Sequence, residues 1–284
     1  LWKQRPFTIK RKLLLINAVI AIVPLLIIGA IIAGIYQNTV DKRTKQSVTD
    51  SSVVIADRIT RVLKDTESCS NYLTININEV LKEKDPLEKI NLRKQRDVTN
   101  ELYNAKIVFD EMESIAFISD SNQIFVSDNA MLKNAEIVKD SEQFEQLKET
   151  SGKSIWFPCE TREFLVLDKE KPVVTLGKKV VKITTGETLG YILINVNMEQ
   201  LESVLRNQLI HYRLEDSTGK QVCSVPATEN ISAKYIEDII RSVGEYKTGI
   251  YEGKNYYVTS YNIAEYGWKL TSVADLYTLN VGAK

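Results

Sequence analysis

Residues 13–36, LLLINAVIAIVPLLIIGAIIAGIY, form an apolar run of 24 residues without a charge. As a helix rising about 1.5 Å per residue, this run spans about 36 Å, enough to cross the ~30 Å hydrocarbon layer of a membrane. No second apolar run of that length follows. From Gln37 to about Leu81 the pattern becomes amphipathic. Val48, Ile55, Ile59, Val62 and Leu63 recur mainly at intervals of three, four and seven, which predicts a long helix continuing out of the apolar run. Asp85-Pro86 marks a break, and a second helix is expected from Leu87 to Asp110, apolar at Ile90, Val98, Leu102, Ala105 and Phe109.

After Met112 the pattern shifts to strands. SIAFIS (114–119), Asp120-Ser121-Asn122 and QIFVS (123–127) predict a hairpin, and Phe144 with Leu147 a short helix. IWF (155–157) and FLVL (164–167) are strand candidates. PVVTLGKKVVKI (172–183) and LGYILINV (189–196), parted by Thr185-Gly186-Glu187, read as the last two strands of an antiparallel sheet. A short helix at Met198–Leu205 follows. The order then returns: a hairpin of YRLED (212–216) and KQVCSV (220–225), a helix at Ser232–Val243, and strands at 248–253, 255–263 and 267–273. Ile118-Ser119-Asp120-Ser121 is echoed by Leu214-Glu215-Asp216-Ser217, and the strand Gly190–Val196 by Gly267–Val273. The same landmarks lie 70 residues apart in the first copy (120 to 190) and 51 in the second (216 to 267). The fold class is therefore α+β: an N-terminal membrane helix continuing into a long helix, then two tandem modules with antiparallel sheets. Chance likeness of two generic strands is the alternative.

Charge sets the topology. Lys3, Arg5, Lys10, Arg11 and Lys12 precede the apolar run with no acidic residue among them, and a positive flank stays in the cytoplasm. Residues 37–284 then lie outside the cell. A cleaved signal peptide fits less well, because its apolar region usually runs ~7–15 residues and Ile31 stands where a cleavage site near Ala33-Gly34 needs a small residue. Gly29/Ala33 and Ala30/Gly34 are small pairs that would let two such helices approach closely, and Pro24 would kink the span. The chain carries 37 basic and 37 acidic residues; without the five leading cations 32 basic remain (37 − 5), which excludes the basic stripe of a nucleic-acid binder. A chain beginning at Leu1 reads as a piece of a longer protein.

Catalytic chemistry finds no support. One histidine, His211, cannot build a histidine metal cluster, and the chain has neither a G-x-x-x-x-G-K nor an H-E-x-x-H motif. Glu111 and Glu113 read as surface charges. No catalytic residue, metal ligand or cofactor is expected. Cys69, Cys159 and Cys223 are an odd, widely spaced set without a C-x-x-C; they read as free thiols, with a dimer cross-link as the alternative. A small-molecule pocket needs apolar walls and a few placed polar groups. Trp156 and Phe157, followed by Glu160 and Arg162, supply both, with Arg162 able to grip a carboxylate. Core packing of Trp156 and plain exposure of Arg162 are the competing readings. Asn195 lies in a closing strand on the face of Leu193, where a buried amide needs a partner. The aromatic residues of the second module, Tyr251, Tyr256, Tyr257, Tyr261 and Trp268, fit a sheet core.

PVVTLGKKVVKITTGETLGYILINVNMEQL (172–201) is similar to the end of the first module of double Cache sensor domains, and YYVTSYNIAEYGWKLTSVADL (256–276), with its Gly-Trp, to the end of the second. The likeness covers residues 13–280. KLLLINAVIAIVPLLIIGAIIAGIY (12–36) resembles the start of YesM-like sensor histidine kinases of Gram-positive bacteria. The resemblance implies a cytoplasmic tail (1–12), a membrane span (13–36), a helical stalk and second helix (37–111), a membrane-distal Cache module (112–206), a membrane-proximal one (207–280) and a link (281–284) to a second span, HAMP linker and kinase module. The expected function is the extracytoplasmic, ligand-sensing part of a two-component receptor. It acts as a homodimer through helix 37–81, with a small molecule and the membrane as further partners. A chemoreceptor, a cyclase-linked sensor, a protein-docking domain, or an anchored hydrolase using Glu160 or His211 are the alternatives. Amino-acid-binding Cache domains carry an aspartate at the position of Asn195 and an arginine at that of Ser154, so a different ligand, such as a sugar or a peptide, is implied here.

Overall fold

The computed structural model describes residues 9–82, 91–127, 138–162, 172–227 and 231–282. Helix α1 runs unbroken from Ile9 to Val80, 72 residues or roughly 108 Å. Pro24 lies inside it without ending it. Its apolar part is bare: Leu25 is 74% and Ile35 62% exposed, and among the described residues nothing covers this stretch. Among the described residues, this is the one helix long and apolar enough to cross a membrane.

The rest of α1 is a spine with a buried stripe. Val48, Ile55, Ile59, Val62 and Leu63 are buried, and Cys69, Leu73 and Ile77 extend the same face at helical spacing. Helix α2 (Leu92–Val108) packs beside its far end through Val98, Leu102 and Ala105. Asn91 starts α2, its side chain accepting the Lys94 amide at 3.0 Å. The expected break at Asp85-Pro86, and Ile90, lie outside the described residues, as does the strand candidate 164–167.

The first sheet comprises β1 (Met112–Ser119), β2 (Ile124–Val126), β3 (Ser154–Glu160), β4 (Val173–Val181) and β5 (Thr188–Val196), with α3 (Glu142–Lys148) beside it. Helix α4 (Met198–Leu205) leads to the second: β6 (Ile210–Glu215), β7 (Gln221–Val225), α5 (Ala233–Val243), β8 (Lys247–Tyr251), β9 (Lys254–Ile263) and β10 (Trp268–Asp275), with α6 (Leu276–Gly282) closing the chain. The strand orders are β2-β1-β5-β4-β3 and β7-β6-β10-β9-β8. Advancing each strand of the first by five gives the second, so the repeated pattern in the sequence is a repeated topology. All neighbours are antiparallel.

Each sheet lays one face on α1. The stretch of α1 nearer its apolar run, Val48–Leu63, joins Tyr212, Leu214, Trp268 and Leu270 of the second sheet. The farther stretch, Cys69–Ile77, joins Ile115, Phe117, Ile192 and Ile194 of the first. Helix α6 descends beside α1: Thr44 Oγ1 donates to Asn280 Oδ1 at 2.7 Å, and the Ser52 and Ser272 hydroxyls lie 2.7 Å apart in the buried seam. The chain therefore leaves the second module close to where α1 becomes wholly apolar.

Candidate ligand-binding site

The face of the first sheet turned away from α1 has an apolar wall and a polar seam. Ala116, Ile118, Tyr191 and Leu193 form the wall with Phe144, Leu147 and Phe157. The seam crosses three strands in register: Ser114 opposes Asn195, and Asn195 opposes Thr175. Thr175 Oγ1 donates to Asn195 Oδ1 at 2.7 Å, and Asn195 Nδ2 donates to Ser114 Oγ at 2.9 Å. These are the partners that a buried amide at 195 requires. An amide has two donors and two acceptor lone pairs, so one of each on Asn195 is uncommitted among the described residues.

Arg162 extends the seam. Its Nε donates to Thr175 Oγ1 at 3.4 Å, its NH2 to the Pro158 carbonyl at 2.6 Å and its NH1 to Glu160 at 3.3 Å. The side chain is 4% exposed, which corrects the reading of a plain surface charge. Burial pulls its pKa down, and the Glu160 carboxylate opposes that shift. The guanidinium stays charged, and the Glu160 carboxylate beside it offsets part of the cost of burying that charge. Glu160 also pairs with Lys220 of the second module.

The two aromatic candidates do not share a pocket. Successive strand residues point to opposite faces. Phe157, opposite Thr175, faces the seam and lies across Gly177, where a Cβ would sit 2.7 Å from its ring. Trp156, opposite Leu176, turns toward α1. It meets Tyr266 and Trp268 of the second module edge-on, with ring centroids 6.1 and 6.0 Å away, and its Nε1 donates to Glu67 Oε1 of α1 at 3.4 Å. Tyr266 donates to the other oxygen of Glu67 at 3.3 Å. Trp156 is thus a junction residue tying spine and modules together. Ser154 also faces α1, its hydroxyl 3.5 Å from Ser70, so positions 154 and 195 lie on opposite faces of the sheet. Phe157, Arg162 and Asn195 come together, and Glu160 joins them at the edge.

Sequence reasoning missed Thr175, Ser114 and Gly177. Their signal was a polar or side-chain-free position inside an apolar strand, VVTLG and SIAFIS, which gains meaning only once the strands are paired. His211 is buried at 4% exposure, and its Nδ1 accepts the Ala227 amide at 2.8 Å. Burial lowers its pKa to about 4.

Solved structures share this fold. The ligand-binding domain of the Campylobacter jejuni chemoreceptor Tlp3, in complex with L-norvaline, matches 85% of this chain and 94% of its own at 12% identity and a TM-score of 0.60. That of the Pseudomonas fluorescens chemoreceptor CtaA, with L-serine, matches 82% and 98% at 13% identity and a TM-score of 0.56. The ligand-binding domain of Mlp24 with asparagine matches 86% and 98% at 16% identity and a TM-score of 0.61. The fold is a tandem Cache fold. At these identities the likeness shows the Cache architecture and leaves ligand and output to other arguments. No protein-family model and no curated protein sequence matches the chain. In the first Cache module the seam of Ser114, Asn195 and Thr175 lies on the sheet face turned away from α1 and α2, and all three residues are buried there.

Proposed function

We propose that this chain is the extracytoplasmic, ligand-sensing part of a membrane receptor, with no catalysis of its own. One observation carries the reading: a short polar seam, Ser114–Asn195–Thr175–Arg162, set in an apolar wall of Phe157, Ala116 and Leu193. Few polar groups on an apolar ground is the make-up of a small-molecule site. The bare apolar stretch of α1 anchors the chain, the basic residues before it stay in the cytoplasm, and the first module stands farther from the membrane than the second. Two copies pair along helix 37–81.

The similar solved domains are described with amino acids bound. Here the seam carries the neutral Asn195 where amino-acid-binding members resembling this chain carry an aspartate for the ligand ammonium. That supports a ligand other than a free amino acid, such as a sugar or a peptide. Because Ser154 faces α1, this argument rests on Asn195 alone. The N-terminal run, similar to that of YesM-like kinases, supports a histidine-kinase output; the chemoreceptor likenesses support a chemotactic output equally. In both, α6 returns the signal toward the membrane beside α1.

Thermal-shift screening of residues 37–284 against sugars, peptides, organic acids and amino acids tests the proposal, since a ligand that binds the folded state raises its melting temperature. A hit whose shift disappears in Thr175→Val and Phe157→Ala variants supports the seam as the site. A hit insensitive to both moves the site elsewhere. No hit in any class sinks direct small-molecule sensing and turns attention to a protein partner.

A further inference from the structure

The two modules meet through edge strands, and each of these strands carries a cysteine. Strand β3 ends the first sheet, β7 ends the second, and they lie against each other. Cys159 of β3 and Cys223 of β7 are 5% and 4% exposed in one apolar cluster. The Cys159 Sγ stands 3.7 Å from the carbonyl oxygen of Val222, the residue bonded to Cys223. Peptide geometry places that oxygen about 2.8 Å from the Cys223 Cα, so the sulfur lies within about 6.5 Å of the other cysteine's backbone. Polar clamps fix the strands here: the Cys159 amide donates to Asp216 Oδ2 at 3.2 Å, and Lys220 pairs with Glu160. Asp216 is itself held in the β6–β7 turn by the Thr218 and Lys220 amides at 2.8 and 3.0 Å. Cys69 lies apart, in the cluster between α1 and the first sheet. All three are free thiols in this structure.

We propose that Cys159 and Cys223 are a redox pair whose disulfide latches the edge strand of the first module to that of the second. The chemistry is exchange with a small-molecule disulfide such as oxidised glutathione. One cysteine thiolate attacks it, forms a mixed disulfide and expels one glutathione thiol. The second cysteine loses its proton to solvent, attacks the first cysteine's sulfur and expels the other glutathione thiol. Two cysteine thiols thus lose two electrons and two protons, and one glutathione disulfide becomes two thiols. Burial raises both thiol pKa values, so the closed junction protects either state and exchange proceeds when the modules part. Bridging requires the two Cβ atoms to come within about 4.5 Å, which rotation of both side chains and adjustment of the two edge strands would supply. Once bridged, β3, which carries Phe157 and Glu160, moves with β7. The latch rests on the proposed extracytoplasmic position only for where its oxidised form persists.

The test uses the full chain, purified in detergent, equilibrated with mixtures of oxidised and reduced glutathione, alkylated, denatured and mapped by mass spectrometry. The expected product is a Cys159–Cys223 peptide pair lacking the two thiol hydrogens, with Cys69 still alkylated on denaturation. Oxidation is expected to raise the melting temperature by roughly 10 °C, the scale for a bridge closing a loop of about 64 residues. The shift persists in C69S and is lost in C159S and C223S; if a variant fails to fold, the wild-type peptide map decides. Three free thiols in the most oxidising mixture, a bridge through Cys69, or a bridge without a melting shift overturns the proposal. Labelling intact cells with a membrane-impermeant maleimide at a cysteine introduced on the exposed surface of the second module tests location separately. Failure there removes the receptor reading and leaves the purified redox pair intact.

Discussion

His211 is the only histidine in the chain, so its protonation can be followed without interference. Its Nδ1 accepts the Ala227 amide at 2.8 Å, which assigns the neutral ring with its proton on Nε2. Burial lowers the pKa from 6.5 to about 4; Asp275 opposes the shift and Lys254 adds to it. The folded value lies below the unfolded one, so the unfolded chain takes up the proton first as pH falls. The stabilisation is complete above about pH 6.5 and is lost as pH drops toward 4. At about 1.4 kcal/mol per pH unit, lowering the pKa from 6.5 to about 4 amounts to about 3 kcal/mol over the whole window, of which about 2 kcal/mol falls between pH 7 and pH 5. The perturbation is His211→Asn, whose Oδ1 stands in for Nδ1 as acceptor of the Ala227 amide and does not titrate. Urea unfolding of residues 37–284 at pH 7 and pH 5 is the assay. Carboxylates elsewhere lower stability in both proteins, and the difference between them isolates the histidine. The wild type should lose about 2 kcal/mol more than the variant. Parallel losses, or a ring that titrates near its ordinary value by NMR, would refute the reasoning.

Three further outcomes follow from the packing. Asn195→Leu strands the Ser114 hydroxyl and removes an acceptor from Thr175, and should cost about 1–3 kcal/mol in denaturant unfolding; a loss under about 0.5 kcal/mol would show that the seam is not a stabilising network. Gly177→Ala forces the Phe157 ring away from the sheet at a cost of about 1–3 kcal/mol and abolishes the thermal shift of any ligand that uses that ring; an unchanged melting curve would mean that the ring yields freely. Trp156→Ala empties the junction shared with Tyr266, Trp268 and Glu67, at a cost of about 3 kcal/mol, and should split calorimetric unfolding into two transitions; a single peak at the wild-type temperature would argue against coupled modules.

Much of the architecture is written in short-range periodicity. The stripe Val48–Leu63 lies on one face of a helix whatever that helix later packs against, and the apolar run 13–36 is long enough for a membrane on composition alone. The hairpins at 118–121 and 214–217 and the closing strands after Gly190 and Gly267 announced a duplication, because turn and strand signals are local. Asn195 could be placed beside Leu193 by alternation, and it is buried there.

Alternation also separates neighbours, and its consequence for Trp156 and Phe157 depends on which face of β3 meets α1. The order β2-β1-β5-β4-β3 decides that, and no local pattern encodes it. Asn195 finds Thr175 20 residues away and Ser114 81 residues away; Cys159 meets the Val222 carbonyl 63 residues on. Arg162, polar in a polar stretch of chain, is buried because Glu160, the Pro158 carbonyl and Thr175 close around it. Local order follows from the residues themselves, since backbone and side-chain preferences act over a few positions. The site and the junction arise from strand pairing across long chain separations, where the burial of two faces and the pairing of their polar groups are settled together.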